Sequence, residues 1–208
     1  MIGIYGGTFD PIHNGHLRTA LDVKEALNLN QVRFIPLKQA VHRGQPIASD
    51  RQRLGMVQAA VANQPGFVAD DIEIERDGPS YMVDTLKALQ RQLSETLCLL
   101  LGGDAFNDFL SWKSPEEITS LSHIVVMKRP GYQLPDNETL RAFVESREIS
   151  SAETLFQQDS NGIFFYTVTQ LDISATDIRN RLAEGKSINY LLPDAVVEHI
   201  EASGCYAV

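Results

Sequence analysis

Two runs in this chain, Leu97-Cys98-Leu99-Leu100-Leu101 and Ile124-Val125-Val126-Met127, are apolar without alternation. A strand that is apolar at every position has both faces covered, which is the situation of central strands in a parallel sheet. The rest of the chain repeats one rhythm around them, a short apolar run followed by a helix-length stretch. Strands are predicted at 2–5, 32–35, 67–74, 97–101, 124–127 and 164–168. Leu17, Ala20, Leu21 and Leu27 share one helical face, with Lys24 on the same stripe and reaching out of it. Further helices are predicted from the cap residue Ser49 to about 63, from 79 to about 93, and after Ser174. This pattern predicts an α/β fold, a doubly wound, mainly parallel sheet with helices on both faces. The polar stretch 133–160, with one helix expected near 138–144, reads as a peripheral insert. The 208 residues read as a single domain.

Charge and cysteine usage narrow the class of partner. With 18 Lys and Arg against 27 Asp and Glu the formal charge is -9. A nucleic-acid polymer is therefore not an expected partner, since such a footprint needs a basic face. A small anion remains compatible, because a few cationic groups can converge locally on an acidic protein. No apolar run approaches the ~18 residues of a membrane span, and residues 1–5 lack the basic and apolar regions of a signal peptide. Cys98 and Cys205 form no metal-type spacing and no disulfide framework, so a cytoplasmic location is expected and no membrane partner. A homo-oligomer is compatible with this composition.

The first strand runs into Gly6-Gly7-Thr8-Phe9-Asp10-Pro11-Ile12-His13-Asn14-Gly15-His16. Two glycines at a strand end let backbone amides approach a ligand. The helix that starts near Gly15 directs partial positive charge at the same place. His13 and His16, three residues apart across the loop–helix junction, can face one point, as stabilisation of charge on a phosphoryl group requires. No third ligand stands at a convincing interval from them, so no protein-held metal is expected. The glycine spacing is neither that of dinucleotide folds nor that of the lysine-bearing ATPase loop. A second candidate phosphate site is Ile173-Ser174-Ala175-Thr176-Asp177-Ile178-Arg179. Ser174 and Thr176 suit a helix start, and the fork of Arg179 can hold two oxygens at once.

The glycine–histidine turn resembles the signature of the HxGH nucleotidyltransferases, and 173–179 resembles the second signature of that superfamily. Within it, the whole chain resembles the bacterial nicotinate-mononucleotide adenylyltransferases. The resemblance implies a Rossmann-like nucleotidyltransferase fold whose C-terminal helical part, about 174–208, carries the second phosphate-binding motif. It implies transfer of AMP from ATP to nicotinate mononucleotide, giving deamido-NAD and pyrophosphate. Catalysis would fall to His13, His16 and Arg179, with Mg²⁺ held mainly by substrate phosphates. ATP would meet Gly6, Gly7, Thr8, Phe9, Gly102, Asp104, Ser174 and Thr176.

If the strand order is 3-2-1-4-5, the ends of the first and fourth strands flank the crevice where doubly wound sheets bind ligands. Both glycine pairs of the chain, Gly6-Gly7 and Gly102-Gly103, then fall there. Asp104 is either a helix cap or, as the resemblance implies, a partner for ribose hydroxyls. Trp112, the one tryptophan, either packs in the core or, as the resemblance implies, stacks on the pyridine ring of the acceptor. Thr85 belongs to a segment, 79–85, that resembles a nicotinate-pocket segment, with Met82 where the family carries a small hydroxyl. Lys38, His42 and Arg43 resemble a basic family loop that contacts acceptor phosphate, with Ala40 and Val41 replacing prolines. A solvated surface loop is the alternative for these three.

Overall fold

The computed structural model describes residues 1–38 and 45–206. Seven strands form one sheet in the order β3-β2-β1-β4-β5-β7-β6, and every pairing is parallel. They are β1 (Ile2–Gly7), β2 (Gln31–Pro36), β3 (Phe67–Ala69), β4 (Leu97–Gly102), β5 (His123–Lys128), β6 (Glu148–Ile149) and β7 (Ile163–Thr167). The helices are α1 (Asn14–Ala26), α2 (Asp50–Val61), α3 (Ile72–Glu75), α4 (Met82–Gln92), α5 (Gly103–Asn107), α6 (Pro115–Leu121), α7 (Glu138–Glu145), α8 (Ala152–Phe156), α9 (Ala175–Ala183) and α10 (Asp194–Ser203).

The two apolar runs are central strands covered on both faces. Leu97, Leu99 and Leu101 of β4, with Ile124 and Val126 of β5, meet Val83, Leu86 and Leu89 of α4 and Leu140 of α7. Cys98, Leu100, Val125 and Met127 point the other way, to Ala20 and Val23 of α1, Met56 of α2, Ile178 of α9 and Val196 of α10. The period-2 side-chain geometry of a strand thus splits each run between two separate cores. Burial of ~0.8 kcal/mol per CH₂ in each core favours this sandwich.

Three expectations change. The third strand ends at Ala69, because the Asp70 carboxylate accepts the Ile72 backbone N–H at 3.0 Å and turns the chain into α3. The 133–160 stretch contributes to the sheet and the core rather than lying outside them. Asn137 caps α7, whose Leu140, Phe143 and Val144 are buried, and Glu148–Ile149 adds the seventh strand beside β7. A two-residue strand is too short to show periodicity. The sheet is also parallel throughout rather than mainly so. Ser49 caps α2 as expected, its hydroxyl accepting the Gln52 N–H at 3.3 Å. No helix among the described residues is long and apolar enough to cross a membrane.

Candidate active site

The connections after β1 lead to one side of the sheet, and β4 lies on the other side of β1. The carboxyl ends of β1 and β4 therefore bound a crevice. It is a cleft of about 920 Å³, lined by Gly6 to Asp10, His13 and His16 on one side and by Leu101 to Ala105 and Trp112 on another. Ser174, Thr176 and Arg179 complete the lining. Parts of the chain almost 170 residues apart, such as Asp10 and Arg179, thus meet across one space.

His13 and His16 stack, with ring centroids 3.7 Å apart and planes 26° from parallel. The His13 backbone N–H donates to His16 Nδ1 at 3.3 Å. With Nδ1 accepting, the neutral His16 ring carries its proton on Nε2 and can donate from there. Phe9 meets the His16 ring edge-on at 5.2 Å. Gly15 has a steric cause: a Cβ there would lie 2.9 Å from His13 Nδ1. Burial lowers the His13 pKa to about 4. Burial, and secondarily the neighbouring His13, hold His16 well below its ordinary value. Both rings are therefore neutral near pH 7.

The depressed His13 value has a consequence for stability. Its folded pKa lies below its unfolded one, so the unfolded state binds the extra proton. The contribution is complete above pH ~6.5 and is lost as pH falls toward 4. At ~1.4 kcal/mol per unit this is roughly 3 kcal/mol for a ring only 5% exposed. In urea titrations at pH 7 and pH 4.5, His13→Gln should lose less stability between the two than the wild type. Equal losses would contradict a buried neutral His13.

The other polar groups fall into two sets. Thr8 Oγ1 and His13 Nδ1 are buried in the lining without a hydrogen-bond partner among the described residues. Such groups call for a partner from elsewhere. Arg179 is held in place, its Nη1 donating to the Asp10 carbonyl at 2.5 Å and its Nη2 to Thr176 Oγ1 at 3.2 Å. Ser174 Oγ accepts the Asp177 N–H at 3.1 Å as the cap of α9. The start of α1 is less open to an anion than its position suggests. The Asn14 N–H donates to the Leu191 carbonyl and that of His16 to the His13 carbonyl, both at 2.9 Å.

The glycines Gly6, Gly7 and Gly102 line the cleft, and their surroundings differ. A Cβ on Gly7 would strike the Phe9 ring at 2.8 Å, and one on Gly6 the Met82 Cε at 2.7 Å. Packing against the Phe9 ring thus gives Gly7 a steric reason beside its place in the lining, whereas the flexible end of Met82 can move away from Gly6. At Gly102 a Cβ would meet nothing within 4 Å, so the backbone there is open to the cleft. Phe9, only 2% exposed, supports His16 more than it offers surface. Asp104 stands exposed in the first turn of α5, and the cap is Gly102 instead. Trp112 is half-buried, packed on Phe109 at 5.7 Å while lining the cleft. It meets the core and the cleft at once.

Two of the expected acceptor residues do not line the cleft. Thr85 is fully buried, its hydroxyl donating to Glu73 at 2.6 Å and accepting from Arg76 at 3.1 Å. Lys38 donates its ammonium to the Arg76 carbonyl at 2.9 Å. Both belong to a polar cluster adjoining Ser80, and burial raises the Glu73 pKa within it. His42 and Arg43 lie outside the described residues. Arg53, from the sequence a weak candidate for a phosphate contact, and two residues without an expected role, Asp10 and Asn14, hold the turn together. Arg53, 1% exposed, donates to the carbonyls of Thr8, Leu37 and Ala48. Asp10 and Asn14, inside the turn, anchor it. A buried Arg far along the chain leaves no sequence signal that separates it from a surface one.

A family model described as cytidylyltransferase-like matches residues 4–181. A protein of Methylococcus capsulatus named "Probable nicotinate-nucleotide adenylyltransferase" is 47% identical, the alignment covering 100% of both chains. One of the same name from Pseudomonas fluorescens is 43% identical over 99% of this chain and 96% of its own. Among solved structures, a Plasmodium falciparum nicotinic acid mononucleotide adenylyltransferase complexed with NaAD aligns with a TM-score of 0.72. It covers 99% of this chain and 96% of its own at 17% identity, a likeness of fold.

Proposed function

The chain belongs to the cytidylyltransferase-like family and, within it, to the nicotinate-nucleotide adenylyltransferases, and from that premise we propose that it transfers AMP from ATP to nicotinate mononucleotide, yielding deamido-NAD and pyrophosphate. The observation that carries the proposal is the cleft itself, where the stacked His13 and His16 and the tethered Arg179 line one space at the β1 and β4 ends.

An acceptor phosphate is already a nucleophile at neutral pH, so the reaction needs alignment and charge stabilisation rather than a general base. The acceptor oxygen attacks the α-phosphorus in line, a new P–O bond forms, and the bond to pyrophosphate breaks with its electron pair leaving on the pyrophosphate oxygen. In this reading His16 Nε2 donates to a phosphate oxygen on which charge builds. His13 and Thr8 gain the partners that their buried atoms lack, and Arg179 offers its remaining N–H groups to the same oxygens. Asp104, exposed in the lining at the end of β4, is suited to accept from ribose hydroxyls. Among the described residues no group of three His, Cys, Asp or Glu could hold a metal ion. In this proposal Mg²⁺ is held mainly by substrate phosphates, where it would neutralise charge on the leaving group. A cytoplasmic location belongs to the same proposal, supported by the unpaired Cys98 and Cys205.

The test is pyrophosphate release with ATP, Mg²⁺ and one acceptor at a time. Nicotinate mononucleotide should support turnover and phosphopantetheine should not. Release with phosphopantetheine alone would move the chain to another adenylyltransferase activity, and none with either would favour a nucleotide-binding module.

Trp112 tests the acceptor separately. Stacking on a pyridine ring adds about 0.5–1.5 kcal/mol beyond area burial. Trp112→Ala should raise the KM for nicotinate mononucleotide severalfold and that for ATP less, and Trp112→Phe should recover part of the loss. The Ala variant should also melt lower, since one side of the indole packs on Phe109. A lower melting temperature with both KM values unchanged would leave Trp112 a packing residue only.

A further inference from the structure

The turn that carries His13 is braced at both ends by residues near the other end of the sequence. At one end the buried Tyr206 donates its hydroxyl to Asp10 Oδ1 at 2.7 Å. The same carboxylate, 6% exposed, accepts the N–H of Ile47 at 2.9 Å and of Ala48 at 3.1 Å. Arg179 Nη1 lies 3.7 Å from Asp10 Oδ2 while donating to the Asp10 carbonyl. At the other end Asn14 uses two donors on two successive carbonyls. Its backbone N–H reaches Leu191 and its Nδ2 reaches Tyr190, each at 2.9 Å. Tyr190 has a φ of 67° and a side chain 90% exposed. Its ring adds little packing, so this costly backbone conformation serves to aim carbonyls at Asn14.

Asp10 occupies a particular place in this network. Its carboxylate is oriented by Tyr206 and the 47–48 amides, and its carbonyl is the anchor of Arg179. It also stands three residues before His13. A change in the carboxylate is therefore passed to both sides of the cleft at once. From this geometry we infer that Tyr206 is a positioning residue for adenylyl transfer, acting through Asp10 to fix the placement of the His13–His16 pair relative to Arg179. The inference rests on the proposed activity only for its kinetic part.

Tyr206→Phe keeps the ring and removes the one hydroxyl. Hydrogen exchange on the free full-length protein should become severalfold faster over residues 8–14. In the transfer assay kcat should fall roughly tenfold, since small misplacements far from the chemistry carry losses of this kind. Both KM values should stay within about twofold, because substrate contacts are retained. Combined with Asp10→Asn, the change should add nothing to the loss that Asp10→Asn causes alone, as expected for residues acting in one network. A purely structural tyrosine would lower the melting temperature and leave kcat per folded molecule unchanged, and that result overturns the inference. Unchanged exchange over 8–14, or fully additive losses in the double variant, overturns it too. A wild-type protein that releases no pyrophosphate strikes down the activity, while the exchange measurement, which needs no substrate, still decides whether Tyr206 orders the turn.

Discussion

Replacing His16 by alanine should lower kcat by roughly 10²–10³, the range for losing one preorganised donor to developing charge. The structure separates two contributions to that loss. His16 Nδ1 accepts the His13 backbone N–H, which ties the turn, while Nε2 is the donor that the proposed mechanism assigns to phosphate. His16→Asn can keep an acceptor near the Nδ1 position and has nothing at Nε2. It should therefore hold its melting temperature close to the wild type and still lose most of the activity. His16→Ala should lose both, because Phe9 and Tyr5 also pack on the ring. Steady-state kinetics and thermal melts on the two variants decide the matter. Near-normal turnover in a well-folded His16→Asn protein would remove His16 from the chemistry.

The largest stability effect is expected away from the histidines, at Arg53. Its guanidinium donates to the Thr8 carbonyl at 2.8 Å, to that of Leu37 at 2.6 Å and to that of Ala48 at 3.3 Å. It thereby joins the turn that leads to His13, the exit of β2 and the entry to α2. Arg53→Met fills a similar volume but leaves three carbonyls without their donor, and each buried orphan costs about 1–3 kcal/mol. The expected destabilisation is roughly 3–5 kcal/mol, the range for removing one partner from a buried charged network. At ~2–4 °C per kcal/mol for a chain of this size, the melting temperature should fall by roughly 6–20 °C. Arg53→Lys should recover only part, since one ammonium cannot span three acceptors in the geometry of a planar fork. A loss below about 1 kcal/mol in Arg53→Met would mean that water replaces the guanidinium with little penalty.

The two predictions concern residues that the sequence presents very differently. His13 and His16 sit in a glycine-rich turn after the first strand, so their chemistry and shared direction follow from spacing alone. Arg179 is legible for a similar reason, standing one turn into a helix that opens with Ser174. The fold is legible at the same level, because apolar runs such as 97–101 can be buried only between two layers, and strands of that kind must alternate with helices. Local periodicity carries this information, since it depends on residues two to four apart.

Contacts between residues far apart in sequence leave no such trace. Nothing local distinguishes Arg53, buried under three carbonyls, from Arg51 two residues before it, which is exposed. The hydroxyl of Thr85 turns to Glu73 instead of the cleft because the polar cluster around Arg76 satisfies it there. Gly6 and Gly7 read as room for a ligand, and they do line the cleft, but that the Phe9 ring also packs close to Gly7 has no local trace. The protonation of the histidines was equally out of reach, since burial, a property of the assembled cleft, decides that they are neutral. The amino-acid sequence by itself determined the layered α/β architecture and which side chains could do phosphoryl chemistry, through propensities and periodicities that act over a few residues. Only the tertiary structure decided which of those side chains face the cleft, which charges they carry and which distant residues hold them, because burial and long-range hydrogen bonds exist only once the chain has closed on itself.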